Sequence, residues 1–195
     1  ADISVVLATH NEAHNIERCL RSVASFADEL IVVDGDSTDH TVLIAQKMGA
    51  RVLQTSNKPN FHINKQMAMD EATGKLVLQL DADEVLDREL TTFISNLKRQ
   101  AGANTLPDQP VAWYVKRKNH LFNRWLSKGG QYPDPVIRLY IRGKARLPQK
   151  DVHEQMVVDG DVATADGHLL HYSYPTFADY LHKFNTYTSF AALQL

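Results

Sequence analysis

The chain has 195 residues, 44% of them hydrophobic and 23% charged, with seven Pro and nine Gly. That balance excludes a disordered, collagen-like or linker-dominated polypeptide. No apolar run approaches the roughly 20 residues a membrane-spanning helix needs, and Ala1-Asp2-Ile3 shows no basic leader segment. Cys19 is the single cysteine, so no intrachain disulfide can form and a reducing compartment is expected.

The first hundred residues alternate strands and helices. Ile3–Ala8 is a β-branched apolar run of the kind buried on both faces of a sheet. Ile16, Cys19, Leu20 and Val23 form one helical stripe. Leu30–Val33 reads as a second strand, ended by Asp34-Gly35-Asp36-Ser37-Thr38-Asp39, with a helix then closing at Gly49. Val52-Leu53 marks a third strand, and after the loop Gln54–Asn60 a helix runs from Phe61 to about Thr73. Leu76–Leu80 is the fourth strand and leads straight into Asp81-Ala82-Asp83-Glu84, before a helix with the stripe Leu90, Phe93, Ile94 and Leu97. Such alternation predicts right-handed βαβ units and a mostly parallel sheet.

Past Gly102 the pattern changes. Val111–Lys118, Val136–Ile141 and Val152–Val158 read as strands joined by short polar connections. A final helix carries Phe177, Tyr180, Leu181, Phe184, Tyr187, Thr188 and Ala191; it is expected to dock on the sheet, with a membrane interface as the alternative. It runs to Leu195 without a stop signal, so the native chain is expected to continue.

In an open parallel sheet ligands bind beyond the carboxyl ends of the strands. Three ends here are polar: Thr9-His10-Asn11-Glu12, Asp34-Gly35-Asp36 and Asp81-Ala82-Asp83-Glu84. Asp81 and Asp83 point the same way on an extended backbone, and two such carboxylates repel unless a cation joins them. Oxygen ligands suit Mg²⁺ or Mn²⁺, with Mg²⁺ usually shared with substrate phosphates. An acidic first helical turn is the alternative use of these residues. Asp34 stands where a carboxylate can accept the N–H of a pyrimidine base, although Ser, Thr and Asp in its loop also suit helix capping.

With those residues in view a family emerges. Ser4–Glu12, Val32–Thr41 and Leu80–Glu84 resemble, in wording and spacing, family 2 glycosyltransferases of the GT-A fold. Tyr132-Pro133-Asp134, Arg138-Leu139-Tyr140 and Val152-His153-Glu154 are similar to the subgroup containing lipopolysaccharide-core β-glucosyltransferases of Gram-negative bacteria; the resemblance covers about residues 3–190. It implies an α/β, Rossmann-like, mostly parallel sheet flanked by helices, with a mixed-strand acceptor-side half. One domain over 1–195 would then comprise a nucleotide-sugar-binding half (1–100), an acceptor and catalytic half (101–175) and a C-terminal helix (176–195).

The reaction implied is inverting transfer of a sugar, glucose by the subgroup, from a UDP-sugar to a saccharide or glycolipid acceptor. By position, Thr9, Asn11 and Glu12 would border the nucleotide, Asp34 would contact the base, and Lys65 would face the nucleotide. Asp81 and Asp83 would be the Asp-x-Asp motif, with Asp83 the direct metal ligand. His171 would follow as a third ligand, better matched to Mn²⁺ than to Mg²⁺. Glu154 would be the base that takes the acceptor proton, although many members carry Asp after Glu there; Asp134 is its competitor. The remaining histidines carry no expected role, apart from His153, which would orient Glu154.

The formal net charge of −2 conceals blocks. Residues 1–97 carry 8 basic and 15 acidic side chains, residues 98–150 carry 12 and 2, and residues 151–195 carry 1 and 6. A basic middle suits anionic acceptor groups or a bilayer surface, and without a nucleic-acid-binding motif no nucleic acid is expected. Trp113, Trp125 and Tyr132 lie among those charges, where they can stack on sugars or fill a core. The expected location is cytoplasmic, peripheral at the inner face of the inner membrane. The competing functions are a non-catalytic nucleotide-sugar-binding protein, an aspartate-dependent phosphatase and a nucleotidyltransferase.

Overall fold

The computed structural model describes residues 1–58, 60–122, 124–148 and 155–174, with 176–178, 180, 181, 184, 185 and 188 of the tail. The first half follows the alternation closely: β1 (Ile3–Thr9), α1 (Ile16–Val23), β2 (Glu29–Gly35), α2 (Thr41–Lys47), β3 (Arg51–Thr55), α3 (Phe61–Asp70) and β4 (Leu76–Leu80). Then come β5 (Glu84–Leu86), α4 (Arg88–Gly102), β6 (Ala112–Leu121), β7 (Arg124–Trp125), β8 (Asp134–Ile141), β9 (Ala145–Arg146), β10 (Val157–Val158) and β11 (Val162–Tyr174).

The main sheet has the order β3-β2-β1-β4-β8-β6-β11-β5, with β7 on β6 and a separate β9–β10 ribbon. β3, β2, β1 and β4 are mutually parallel. From β8 onward the sheet is mixed, since β8 runs antiparallel to both β4 and β6 while β11 runs parallel to β6. The central strands separate two cores by alternation: Val5, Leu7, Leu78 and Leu80 face one layer, Val6 and Val77 the other. This explains why they read as unbroken apolar runs. Asn60 caps α3 by accepting from the His62 N–H, and Asp87 caps α4 by accepting from the Leu90 N–H, each at 2.9 Å.

Three departures from the sequence reading matter. β5 and the long β11 were not expected. β11 is rich in Ala, Asp, Gly and His, residues with little strand preference, and packing against α4 overrides it. A side chain at Gly167 (φ 87°) would sit 2.2 Å from the Leu90 backbone nitrogen, so only glycine lets β11 pass the start of α4. The expected strand over Val152–Val158 is seen only as β10, its first residues lying outside those described.

The tail is the third departure. Its described residues from Phe177 to Thr188 are helical, yet Phe177, Leu181 and Phe184 are exposed where an apolar stripe facing the sheet was expected. Their rings stack along the helix, Phe177 on Tyr180 and Tyr180 on Phe184, and also meet the end of the sheet, Tyr180 against Tyr174 of β11 and Phe177 against Phe122 just past β6. Among the described residues no helix is long and apolar enough to cross a membrane.

Candidate active site

The tips of β1 and β4, together with α3 and the ends of β6 and β11, enclose a cleft of about 420 Å³, within the usual range for small-ligand sites. Thr9, Glu12, Lys65, Asp81, Asp83 and His171 all line it, although they come from four separate stretches of chain. His10, Phe61, Asn64, Arg117 and Tyr174 line it as well and were not anticipated.

Asn11, exposed, and Asp34, buried, are not among the lining residues but join the loops beside them. Asn11, at φ 55°, donates its N–H to Ser37 Oγ (2.8 Å) and accepts from the Thr38 N–H (2.9 Å). Asp34 is fully buried. It accepts from Thr9 Oγ1 at 3.1 Å, from Ser37 Oγ at 2.6 Å and from the Ser37 N–H at 2.9 Å. The Glu12 N–H donates to Thr41 Oγ1, and its carboxylate accepts from Asn15 Nδ2.

The two aspartates of the motif have different surroundings. Both Asp81 oxygens are engaged, Oδ1 by Lys65 Nζ at 2.5 Å and Oδ2 by Arg138 Nη2 at 2.6 Å. Burial opposes ionisation of Asp81, but Arg138 and then Lys65 outweigh it and hold the carboxyl well below its usual range. Arg138 is itself buried and also donates to Gln79 Oε1 (2.5 Å) and Glu84 Oε1 (2.8 Å). Glu84 in turn accepts from the Asp81 N–H at 2.9 Å. Beneath them Cys19 is kept as a thiol by burial and by Glu84, Asp83 and Asp81, and its Sγ lies 3.6 Å from the Asp81 carbonyl oxygen.

Asp83 faces a histidine instead. Its Oδ2 lies 3.5 Å from His171 Nε2. Asn119 Nδ2 donates to Asp134 at 2.9 Å, which turns the amide oxygen toward His171 Nδ1 at 2.7 Å. Nδ1 must therefore carry a proton, and Nε2 is aimed at Asp83. In the protein alone His171 is pushed toward its charged form: burial opposes this, but the hydrogen bond and charge of Asp83 prevail. A divalent ion could take the place of that proton. Adjacent corners of an octahedron with bonds of about 2.1 Å are about 3 Å apart, so one carboxylate oxygen and one imidazole nitrogen at this separation fit two neighbouring ligands. Among the described residues the network links Lys65, Arg117 and Arg138 with Asp81, Glu84 and Asp134, while His171 faces Asp83.

Lys65, Asp81 and Arg117 also wall a second cleft of about 240 Å³, lined further by Phe61, Arg138 and Gln155. Glu154 and His153 lie outside the described residues; Gln155 is the next along the chain. Asp134 lines neither cleft and accepts from Arg117 (Nη2 2.7 Å, Nε 2.9 Å) and Asn119. Trp113 is buried, so of the two tryptophans only Trp125 is presented to solvent. Among the described residues, Asp87, Glu89 and His168 form a separate grouping away from the cleft.

Comparison with known proteins agrees with this architecture. The model of the family Glycosyl transferase family 2 matches residues 4–154. A TPR repeat-containing protein of Synechococcus elongatus is 31% identical over 80% of this chain and 46% of its own length. The lipopolysaccharide core biosynthesis glycosyltransferase LpsC of Rhizobium meliloti is 29% identical over 98% of this chain and 71% of its own. The crystal structure of S. aureus TarS 1-349 in complex with UDP superposes with a TM-score of 0.61 at 17% identity, covering 92% of this chain and 62% of that one. The chain thus spans less than half of the cyanobacterial relative. TarS shares the fold at low identity, and the strand order, the polar strand tips and the family match agree: the chain belongs to glycosyl transferase family 2.

Proposed function

We propose that the chain transfers a sugar, glucose by its subgroup resemblance, from a UDP-sugar to a saccharide or glycolipid acceptor with inversion at the anomeric carbon. The observation that carries this reading is the convergence of Asp83 Oδ2 and His171 Nε2 on one wall of a cleft bounded by the polar strand tips. Asp83 and His171 would hold Mn²⁺ or Mg²⁺, which when bound neutralises charge growing on the leaving diphosphate. Lys65 and Arg117 add fixed positive charge along the same wall. Asp34 shapes the base end through its bond to Thr9, with Asn11 and Glu12 holding the adjoining loop.

Glu154 would take the proton of the acceptor hydroxyl as its oxygen attacks the anomeric carbon opposite the diphosphate. In support, Gln155 beside it lines a cleft that shares Asp81, Lys65 and Arg117 with the first, whereas Asp134 is committed to Arg117 and Asn119. An aspartyl phosphatase would need a carboxylate ready to attack phosphorus, and both oxygens of Asp81 are held by cations. The name of LpsC and the UDP complex of TarS support a lipopolysaccharide-type acceptor and a uridine donor. The corresponding location is the cytoplasmic face of the inner membrane.

The test is calorimetric titration of UDP with and without Mn²⁺, alongside measurement of UDP release from UDP-glucose. Asp83→Ala is expected to lower Mn²⁺-dependent UDP affinity at least ~100-fold, at the upper end of what disturbed metal sites lose. Unchanged affinity would remove Asp83 from the ligand set.

A further inference from the structure

The strand pair that carries Asn119 and His171 continues past the cleft into the β6–β7 hairpin, where an aromatic side chain is presented to solvent. Trp125 is 44% exposed, against 3% for Trp113. Exposure does not leave it loose. Tyr132 meets it edge to face at 5.5 Å between centroids and 89° between planes. The Tyr132 hydroxyl lies 3.0 Å from His168 Nε2, and His168 Nδ1 lies 3.1 Å from Asp87 Oδ2. Asp87 is fixed in turn as the cap of α4. A chain of polar contacts therefore runs from a helix end to the edge of an exposed indole. It also accounts for the gathering of Asp87 and His168: both ring nitrogens already have partners, so the grouping works as a brace.

Positive charge surrounds the indole. Lys118 Nζ lies 5.2 Å from the Trp125 centroid, and Arg124 beside it is exposed. Both belong to the 98–150 segment, where basic side chains outnumber acidic ones 12 to 2. Trp125 pairs with His120, and the preceding residue, Asn119, holds His171, so this shelf adjoins the cation side of the cleft.

We propose that Trp125 is a binding shelf for a sugar ring bearing an anionic substituent, contributed by the acceptor. The apolar face of the ring would lie on the indole, and its phosphate or carboxylate would meet Lys118 and Arg124. Aromatic bodies with cationic neighbours suit that combination. Bracing lowers the ordering cost of binding, whereas contact with a bilayer requires no fixed side-chain direction. The proposal rests on the transferase reading, because it assigns the ligand to the acceptor.

Tryptophan fluorescence, excited where tyrosine is silent, tests it in the intact chain. Trp113 is buried, so quenching by a small solute reports on Trp125. Glucose 6-phosphate is expected to quench saturably, with glucose and inorganic phosphate each at least about tenfold weaker, a difference of about 1.4 kcal/mol. Trp125→Ala should abolish the response and Lys118→Gln should erase the preference for the phosphorylated sugar. Tyr132→Phe, which keeps the ring but loses the brace, should weaken binding several-fold.

Absence of quenching, equal quenching by inorganic phosphate alone, or a response confined to phosphatidylglycerol vesicles would overturn the shelf. The wild-type titration stands even if a variant fails to fold. UDP titration on the same sample separates the two readings: UDP binding without a sugar response removes only the shelf, and a sugar response without UDP binding removes the donor assignment and leaves the shelf.

Discussion

The two halves of the sheet build their sides of the cleft by different means. In residues 1–100 the strand tips are joined by short polar contacts between neighbouring loops, such as Thr9 to Asp34, Asn11 to Thr38 and the Glu12 N–H to Thr41, spanning 25 to 29 residues. In the mixed half the contacts are charged, buried and distant: Arg138 reaches back 57 residues to Asp81, 54 to Glu84 and 59 to Gln79. The first half supplies the polar strand tips that bound the cleft. The second gives the two aspartates different partners, because Arg138 helps neutralise Asp81 while Asn119 turns His171 toward Asp83.

Breaking the long-range arm should have the largest effect. Arg138→Met leaves Asp81 and Glu84 buried beside a missing cation and is expected to cost about 3–5 kcal/mol in denaturant unfolding. Adding Glu84→Gln should recover part of that loss. A cost under about 1 kcal/mol would show that the first half holds the aspartate turn unaided.

Turnover comes next. Glu154→Gln should lower UDP-glucose turnover at least ~100-fold while leaving UDP affinity intact; a combined loss of both would mean that Glu154 shapes the donor site. Asn119→Ala sharpens the comparison more finely. By releasing the orientation of His171 it should weaken Mn²⁺ binding about 10–100-fold, read by the paramagnetic resonance of free Mn²⁺, with little change in thermal unfolding.

The smallest effect belongs to the first half. Burial opposes ionisation of Asp28, but Lys98 and the N–H groups of Asp2 and Ile3 outweigh it and hold the carboxyl below its usual value. Its stabilisation is present above the unfolded value of about 3.9 and is lost as pH falls through the lower folded value. Asp28→Asn should therefore cost under about 1 kcal/mol at neutral pH, given its partial exposure, and less at pH 2. An equal deficit at both pH values would point to lost geometry instead of lost charge.

Much of this protein was legible from residue order alone. Unbroken apolar runs such as Ile3–Ala8 and Leu76–Leu80 announced strands buried on both faces, and the polar residues closing them marked the strand tips, because burial and capping are local requirements. The spacing of Asp81 and Asp83 pointed to a cation site for the same reason. The resemblance singled out Asp83 and His171, but not that Arg138 and Lys65 pair with both oxygens of Asp81, because Arg138 lies more than fifty residues away along the chain. Nor was β11 legible, whose Ala165, Gly167 and Leu169 become a core-facing row only once α4 packs against them. Local propensity and pattern carry short-range decisions; charge compensation and close packing exist only after distant segments meet, and there the tertiary structure decided.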